Sequence, residues 1–234
     1  MTIVCRSRKF IFVHLTKCGG TSVEQAFAPH ARWNDLIVGS TAWGERLQPV
    51  YRRLFGLTKH SPARQIEQSV GAEVWAQYWT VALVRHPLRV YESFYAWMAD
   101  VAEDYMRDHR LDRDQLVERY RKGALRAWFT DWWIAKPYLE STCFAEFMDI
   151  VLTQPRTPRS MTARLSRDGT VIVDDVFKLE DIDRFWETFE ARTGLKLERL
   201  HVNQSRSRRY QWDERHIAEI RRRFAVDVRN FGYD

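Results

Sequence analysis

The stretch FIFVHLTKCGGTSVEQAF, residues 10–27, restricts the possible folds of this chain more than any other. Phe10, Ile11, Phe12, Val13 and Leu15 form a short apolar, β-favouring run that predicts a buried strand, and the run stops at Lys17-Cys18-Gly19-Gly20. From Thr21 the period changes: Val23, Ala26 and Phe27 recur at helical spacing, so the stretch predicts strand, glycine turn, helix. Such a unit is an anion site by construction. The first N–H groups of a helix have no internal partner, the helix dipole places partial positive charge there, and two glycines let the backbone approach an oxyanion. Lys17 adds a full charge, and Thr21 and Ser22 add hydroxyl donors.

In an ATP-binding P-loop, G-x-x-x-x-G-K-[ST], the lysine follows the glycines. Here it precedes them, as Lys17-Cys18-Gly19-Gly20-Thr21-Ser22. The form His14-Leu15-Thr16-Lys17-Cys18-Gly19-Gly20-Thr21-Ser22 resembles the 5′-phosphosulfate loop of sulfotransferases that use 3′-phosphoadenosine-5′-phosphosulfate (PAPS), most closely the Golgi-type and bacterial carbohydrate branch. Cys18 stands where that family often has threonine, at a position where the backbone N–H is the group needed.

A second stretch, residues 78–97, reads YWTVALVRHPLRVYESFYAW. Trp79 to Val84 suits a central parallel strand, Arg85 ends it, and Pro87 opens a helix with Leu88, Tyr91, Tyr95 and Met98 on one face and Arg89, Ser93 and Trp97 on the other. The pattern from Arg85 through Pro87 to Ser93 resembles the 3′-phosphate motif of the same family, with His86 where Asp or Asn is usual. Near the C-terminus, Asn203, Ser205 and Arg208-Arg209-Tyr210 are similar to the family's loop over the bound nucleotide. The resemblance carries Arg209 and Tyr210 over as cofactor contacts, with Arg208 as the competitor.

The remainder carries less chemistry. Residues 28–60 alternate glycine and proline with short apolar pieces and are expected to be irregular. Ser61 and Pro62 predict an N-cap and a first helical position, with a helix running through Ala63, Ile66 and Val70. Residues 103–153 predict helices whose aromatic residues are mainly core, with alternating charges from Asp112 to Lys122 on a solvated face. Arg164 to Leu179 predicts a hairpin turning at Asp168-Gly169, and Glu180 to Thr193 an amphipathic helix ended by Gly194. Arg221, Arg222 and Arg223 fall in the last turns of a helix begun by Asp213, where cations complement the dipole.

At 234 residues the chain is expected to form one domain over residues 1–234. The formal charge of +6 suits an anionic ligand or acceptor without choosing one, and leaves a basic nucleic-acid binder as an alternative. Cys5, Cys18 and Cys143 lack metal-ligand spacing, and reduced thiols in a bacterial cytoplasmic protein are the simplest account. No apolar run approaches the roughly 18 to 20 residues of a membrane span, and no signal peptide or membrane anchor is expected.

The resemblance implies an α/β P-loop-like sulfotransferase fold, a small central parallel sheet flanked by helices, with the donor across the carboxyl ends of the strands. It implies sulfuryl transfer from PAPS to a hydroxyl or amine of a carbohydrate, glycolipid or other acceptor, leaving 3′-phosphoadenosine-5′-phosphate, without a metal and without nucleic acid. Lys17 would neutralise the leaving oxygen. His60 resembles the base of the 2-O-sulfotransferase branch, and Glu24 and His14 are the other candidates; a histidine near its ordinary pKa of about 6.5 is poised to accept a proton. The competing enzyme class, a P-loop kinase or NTPase, requires an acidic magnesium ligand ending a strand, whereas Val84 leads into Arg85.

Overall fold

The computed structural model describes residues 2–125, 129, 131–154, 158, 160–200, 202 and 210–233. The chain divides into two compact units: Met1–His86 with Arg159–Asn203 and Ala225–Asp234, and Pro87–Pro158 with Gln204–Phe224.

The first unit is an α/β layer structure built on strands β1 (Thr2–Cys5), β2 (Phe10–Val13), β3 (Leu36–Val38), β4 (Trp79–Val84) and β7 (Asp175–Lys178), in the order β3-β1-β2-β4-β7. Helices α1 (Gly20–Phe27), α2 (Ala42–Phe55), α3 (Ala63–Val70) and α4 (Ala72–Gln77) lie between β2 and β4 in the chain. Both strands foreseen from their apolar runs are present. They pair parallel, Phe10 opposite Trp79 through Val13 opposite Ala82. Each is buried on both faces, as parallel strands covered by helices must be. Phe10 meets Phe27 and Phe189 edge-on at 5.2 and 5.0 Å, so α1 and the helix Ile182–Thr193 both close on this strand.

Four expectations are corrected. The sheet is mixed rather than parallel, because β1 forms an antiparallel hairpin with β2 and β3 adds antiparallel outside it. Residues 28–60 are not irregular throughout: Thr41 caps α2 by accepting from the Gly44 N–H at 2.9 Å, and Pro49 lies inside that helix. The predicted long hairpin is cut to two residues per strand, β5 (Ser166–Arg167) with β6 (Thr170–Val171). The following segment leaves it because Asp174 accepts from both the Thr80 N–H and Oγ1 at 2.8 Å, which hooks the chain onto β4 as the parallel strand β7. Finally, Ser61 is not the N-cap of α3; Pro62 holds that position, and Ser61 Oγ instead accepts from the Thr58 N–H at 2.9 Å.

The second unit is helical. Its longest member, α5 (Pro87–His109), starts at the proline and buries Val90, Tyr91, Phe94 and Met98, while Arg89 is exposed. Asp112 and Gln115 form a reciprocal capping box on the helix Arg113–Arg121, whose one buried residue is Leu116, as a solvated helix requires. Phe129, Phe144 and Phe147 are core, and Trp132 is 46% exposed. The triple arginine lies at the end of the helix Glu214–Arg223, where Arg222 and Arg223 both pair with Glu219. Among the described residues no helix is long and apolar enough to cross a membrane.

Candidate anion site

The loop between β2 and α1 changes chain direction through two left-handed residues, Lys17 at φ 63° and Gly19 at φ 79°. Cys18 between them has negative φ, an alternation of the kind found in anion-binding nests, while the Cys18 N–H itself donates to the Leu15 carbonyl oxygen at 3.4 Å. Gly19 is the N-cap of α1, so no side chain caps the helix, and its first turn holds no acidic residue. The positive end of the dipole is therefore not neutralised from within.

The close packing of the loop explains both glycines. A Cβ on Gly19 would lie 2.5 Å from Leu179 Cδ1, and one on Gly20 would lie 2.3 Å from His14 Cδ2. Cys18 is buried against Met161, and burial pushes its thiol up to about 12 despite the nearby Arg85 charge. It is an inert thiol.

Arg85, the residue after β4, donates from Nη1 to the Lys17 carbonyl at 3.3 Å. The Lys17 loop and Arg85, 68 positions apart, thus meet at the carboxyl ends of adjacent parallel strands. Sequence reasoning missed what holds the next turn. Glu180, just beyond β7, accepts from the His86 N–H at 2.8 Å with one oxygen and from Tyr233 OH at 3.1 Å with the other. A carboxylate from the turn after β7 thus fixes the backbone at position 86.

Behind the loop lie the three base candidates. His14 follows β2 and is 3% exposed; Glu24 on α1 is fully buried, and its Oε1 lies 2.8 Å from His14 Nδ1. His60, half-buried in the turn before α3, meets the His14 ring edge-on at 4.7 Å, with Nδ1 3.5 Å from the His14 carbonyl oxygen. Burial pushes Glu24 up to about 8 and holds His14 well below the usual histidine range. The expectation that His60 titrates near its ordinary value is corrected. Burial first, then the neighbouring positive charges, lower it to about 3.

The other sequence candidates distribute as follows. Thr21 and Ser22 are half-buried on α1; Ser22 Oγ accepts from the Val202 N–H at 3.1 Å, which ties the segment leading to residues 203–209 to this loop. Asn203, Ser205, Arg208 and Arg209 lie outside the described residues. Ser93, half-buried on α5, and Tyr210, whose ring packs on Tyr95 and Phe144 at 5.4 and 4.7 Å, belong to the second unit. In comparisons with family models, curated proteins and solved structures, the chain has no match.

Proposed function

We propose that the chain is a sulfotransferase that moves a sulfuryl group from PAPS to a hydroxyl or amine of a carbohydrate, glycolipid or other acceptor. The observation that carries this reading is the junction of Arg85 with the Lys17 loop, beside a helix N-terminus that has no cap and no first-turn carboxylate. A nucleotide with phosphate at both the 5′ and 3′ positions calls for two cationic grips. The loop and Lys17 suit the 5′ end. Arg85, at the end of β4, suits the 3′ phosphate.

In the transfer, the acceptor oxygen forms a bond to sulfur as the bond from sulfur to the 5′-phosphate oxygen breaks, and the acceptor proton leaves to a base. Charge builds on the leaving phosphate oxygen, where Lys17 and the N–H groups of Gly19, Gly20 and Thr21 would stabilise it, those of Cys18 and Ser22 being donated to the Leu15 and Gly19 carbonyls. His60 is the base in this account. The His14 carbonyl can only accept, so the neutral ring carries its proton on Nδ1 and leaves Nε2 to receive another. Its low resting affinity for protons would rise on approach of the anionic donor, since opposite charge favours the protonated ring.

The test is calorimetric titration of the full chain with 3′-phosphoadenosine-5′-phosphate, against ATP and 5′-AMP, without magnesium. Binding should depend on the 3′-phosphate and weaken about tenfold or more in Arg85→Ala and Lys17→Ala, the loss expected for a hydrogen bond to a charged group. His60→Ala should retain binding and lose turnover. Preference for ATP with magnesium would overturn the proposal in favour of a kinase or NTPase, and salt-sensitive affinity for RNA without nucleotide binding would favour a nucleic-acid binder.

A further inference from the structure

Helix α2 has its polarity reversed relative to an ordinary surface helix. Its inner side is held by polar and backbone contacts. Glu45 accepts from the Ser40 N–H at 2.8 Å and pairs with Lys59 at 3.2 Å, and Gln48 accepts from the Lys59 N–H at 2.9 Å. Gly44 sits so close to the preceding turn that a Cβ would lie 2.5 Å from the Gly39 carbonyl oxygen. Its apolar residues point outward instead: Trp43 is 64% exposed, Leu54 60% and Val50 38%. At about 100° per residue these three fall within about 40° of one another, with half-buried Leu47 beside them. Arg46 and Arg53, both exposed, lie about 60 to 80° to one side of the stripe, and exposed Arg52 lies on the opposite face. The one acidic residue of the helix, Glu45, is the one already paired with Lys59.

We propose that α2 is an interfacial helix that docks the protein on an anionic phospholipid surface, a function separate from the nucleotide site. An outward stripe containing tryptophan and leucine, flanked by arginines on a helix too polar to insert, matches the composition of helices that lie in the headgroup plane. Tryptophan prefers that depth because its ring is apolar and its N–H polar, and arginine stems can lie along the apolar layer while their charges reach phosphate. Charge decides between a membrane and a second copy of the chain. A two-fold axis across the helix on this face would set Arg46 and Arg53 against arginines, and one along the helix would set them against the uncharged flank of Tyr51 and Phe55, with no carboxylate on the stripe to pair with in either case. Anionic headgroups complement them at every approach.

Sedimentation of the full chain with phosphatidylcholine vesicles, with and without phosphatidylglycerol, tests this. The chain should partition onto the anionic vesicles and be released by salt. The Trp43→Glu/Leu54→Glu double variant should lose about tenfold or more in partition, and Arg46→Gln/Arg53→Gln should lose affinity together with most of the salt dependence. Both variants alter exposed side chains and should keep the parent's urea midpoint and nucleotide affinity, so a failure here is separate from a failure of the proposed activity. Absence of vesicle binding by the parent chain, or binding that Trp43→Glu/Leu54→Glu leaves intact, would overturn the proposal. So would a dimer that the same variant dissolves while neither protein binds vesicles.

Discussion

Gly20→Ala is expected to damage the protein through the His14 ring rather than through the backbone. Gly20 is the first residue of α1 and lacks a positive φ, so alanine costs nothing in conformation and would ordinarily gain up to about 1 kcal/mol. Its methyl group, however, would lie 2.3 Å from His14 Cδ2 and 2.6 Å from Cγ and Nε2. The ring has little room to yield, because it is 3% exposed, bonded to Glu24 at 2.8 Å and backed by His60 at 4.7 Å. Overpacking costs about 1–3 kcal/mol, and a lost buried hydrogen bond adds about 1–3 kcal/mol, for a total of about 2–6 kcal/mol. At about 2 kcal/mol per molar urea, the unfolding midpoint should fall by about 1–3 M. A double-mutant cycle isolates the cause. On a His14→Ala background the space is open, so Gly20→Ala should cost at most about 1 kcal/mol, giving a coupling of about 1 kcal/mol or more. Additivity within about 0.5 kcal/mol would refute the packing argument. Gly19→Ala is the contrast: its penalty of about 1 kcal/mol comes from the left-handed backbone, and its steric partner is the flexible end of Leu179.

Two further predictions concern protons in the same cluster. His14 and His60 have folded pKa values below their ordinary 6.5, so their contribution to stability is intact above about pH 6.5 and lost as pH falls toward the folded values; Glu24, raised from 4.5 to about 8, contributes fully below its ordinary value and loses that contribution as pH rises toward 8. Two histidines outweigh one glutamate on the acid side, so urea midpoints measured from pH 5 to 9 should peak near about 6.5, and Glu24→Gln should flatten the alkaline side. An alkaline decline unchanged in that variant would refute the assignment. In NMR titrations His60 should keep the signals of a neutral ring from pH 8 to 5 without ligand and gain proton affinity with bound 3′-phosphoadenosine-5′-phosphate; a ligand-free midpoint near 6.5 would refute its burial.

What the sequence displayed of the fold, and what it concealed, both have local causes. Strands β2 and β4 were legible because strands buried on both faces are written as continuous apolar runs. β1 was not, because it is only four residues long, and the turn after it uses Lys9 at φ 54° in place of the glycine that usually marks a hairpin. α2 was concealed twice over. Gly44 and Pro49 inside it read as turn residues, and its apolar positions face outward, so the periodicity that reports a core-facing helix has no core to report. β7 was merged with the hairpin before it, since the apolar run gives no sign of a change of sheet. The change is made by Asp174, whose bonds to Thr80 join residues 94 positions apart.

The same distinction governs the candidate site. Residue types at fixed spacing singled out Lys17, the glycines and Arg85 as candidates, because the grip proposed for an anion depends on charge and backbone access that local sequence displays. Proton affinity depends on burial and on partners, and those are set by tertiary placement. Glu24 looked as though it could face away from the loop, yet α1 turns it inward to His14, ten positions earlier. His60 looked suited to titrate near neutrality and is instead held neutral by burial and by the positive charges around it. Gly20 connects the two kinds of information. It was read as a residue that opens the backbone to an oxyanion, and it also leaves the space in which the His14 ring stands. A single missing Cβ thus shapes the turn into α1 on one side and the space of the buried histidine pair on the other, so a side chain introduced at position 20 should disturb the proposed anion binding and the proton chemistry behind it together.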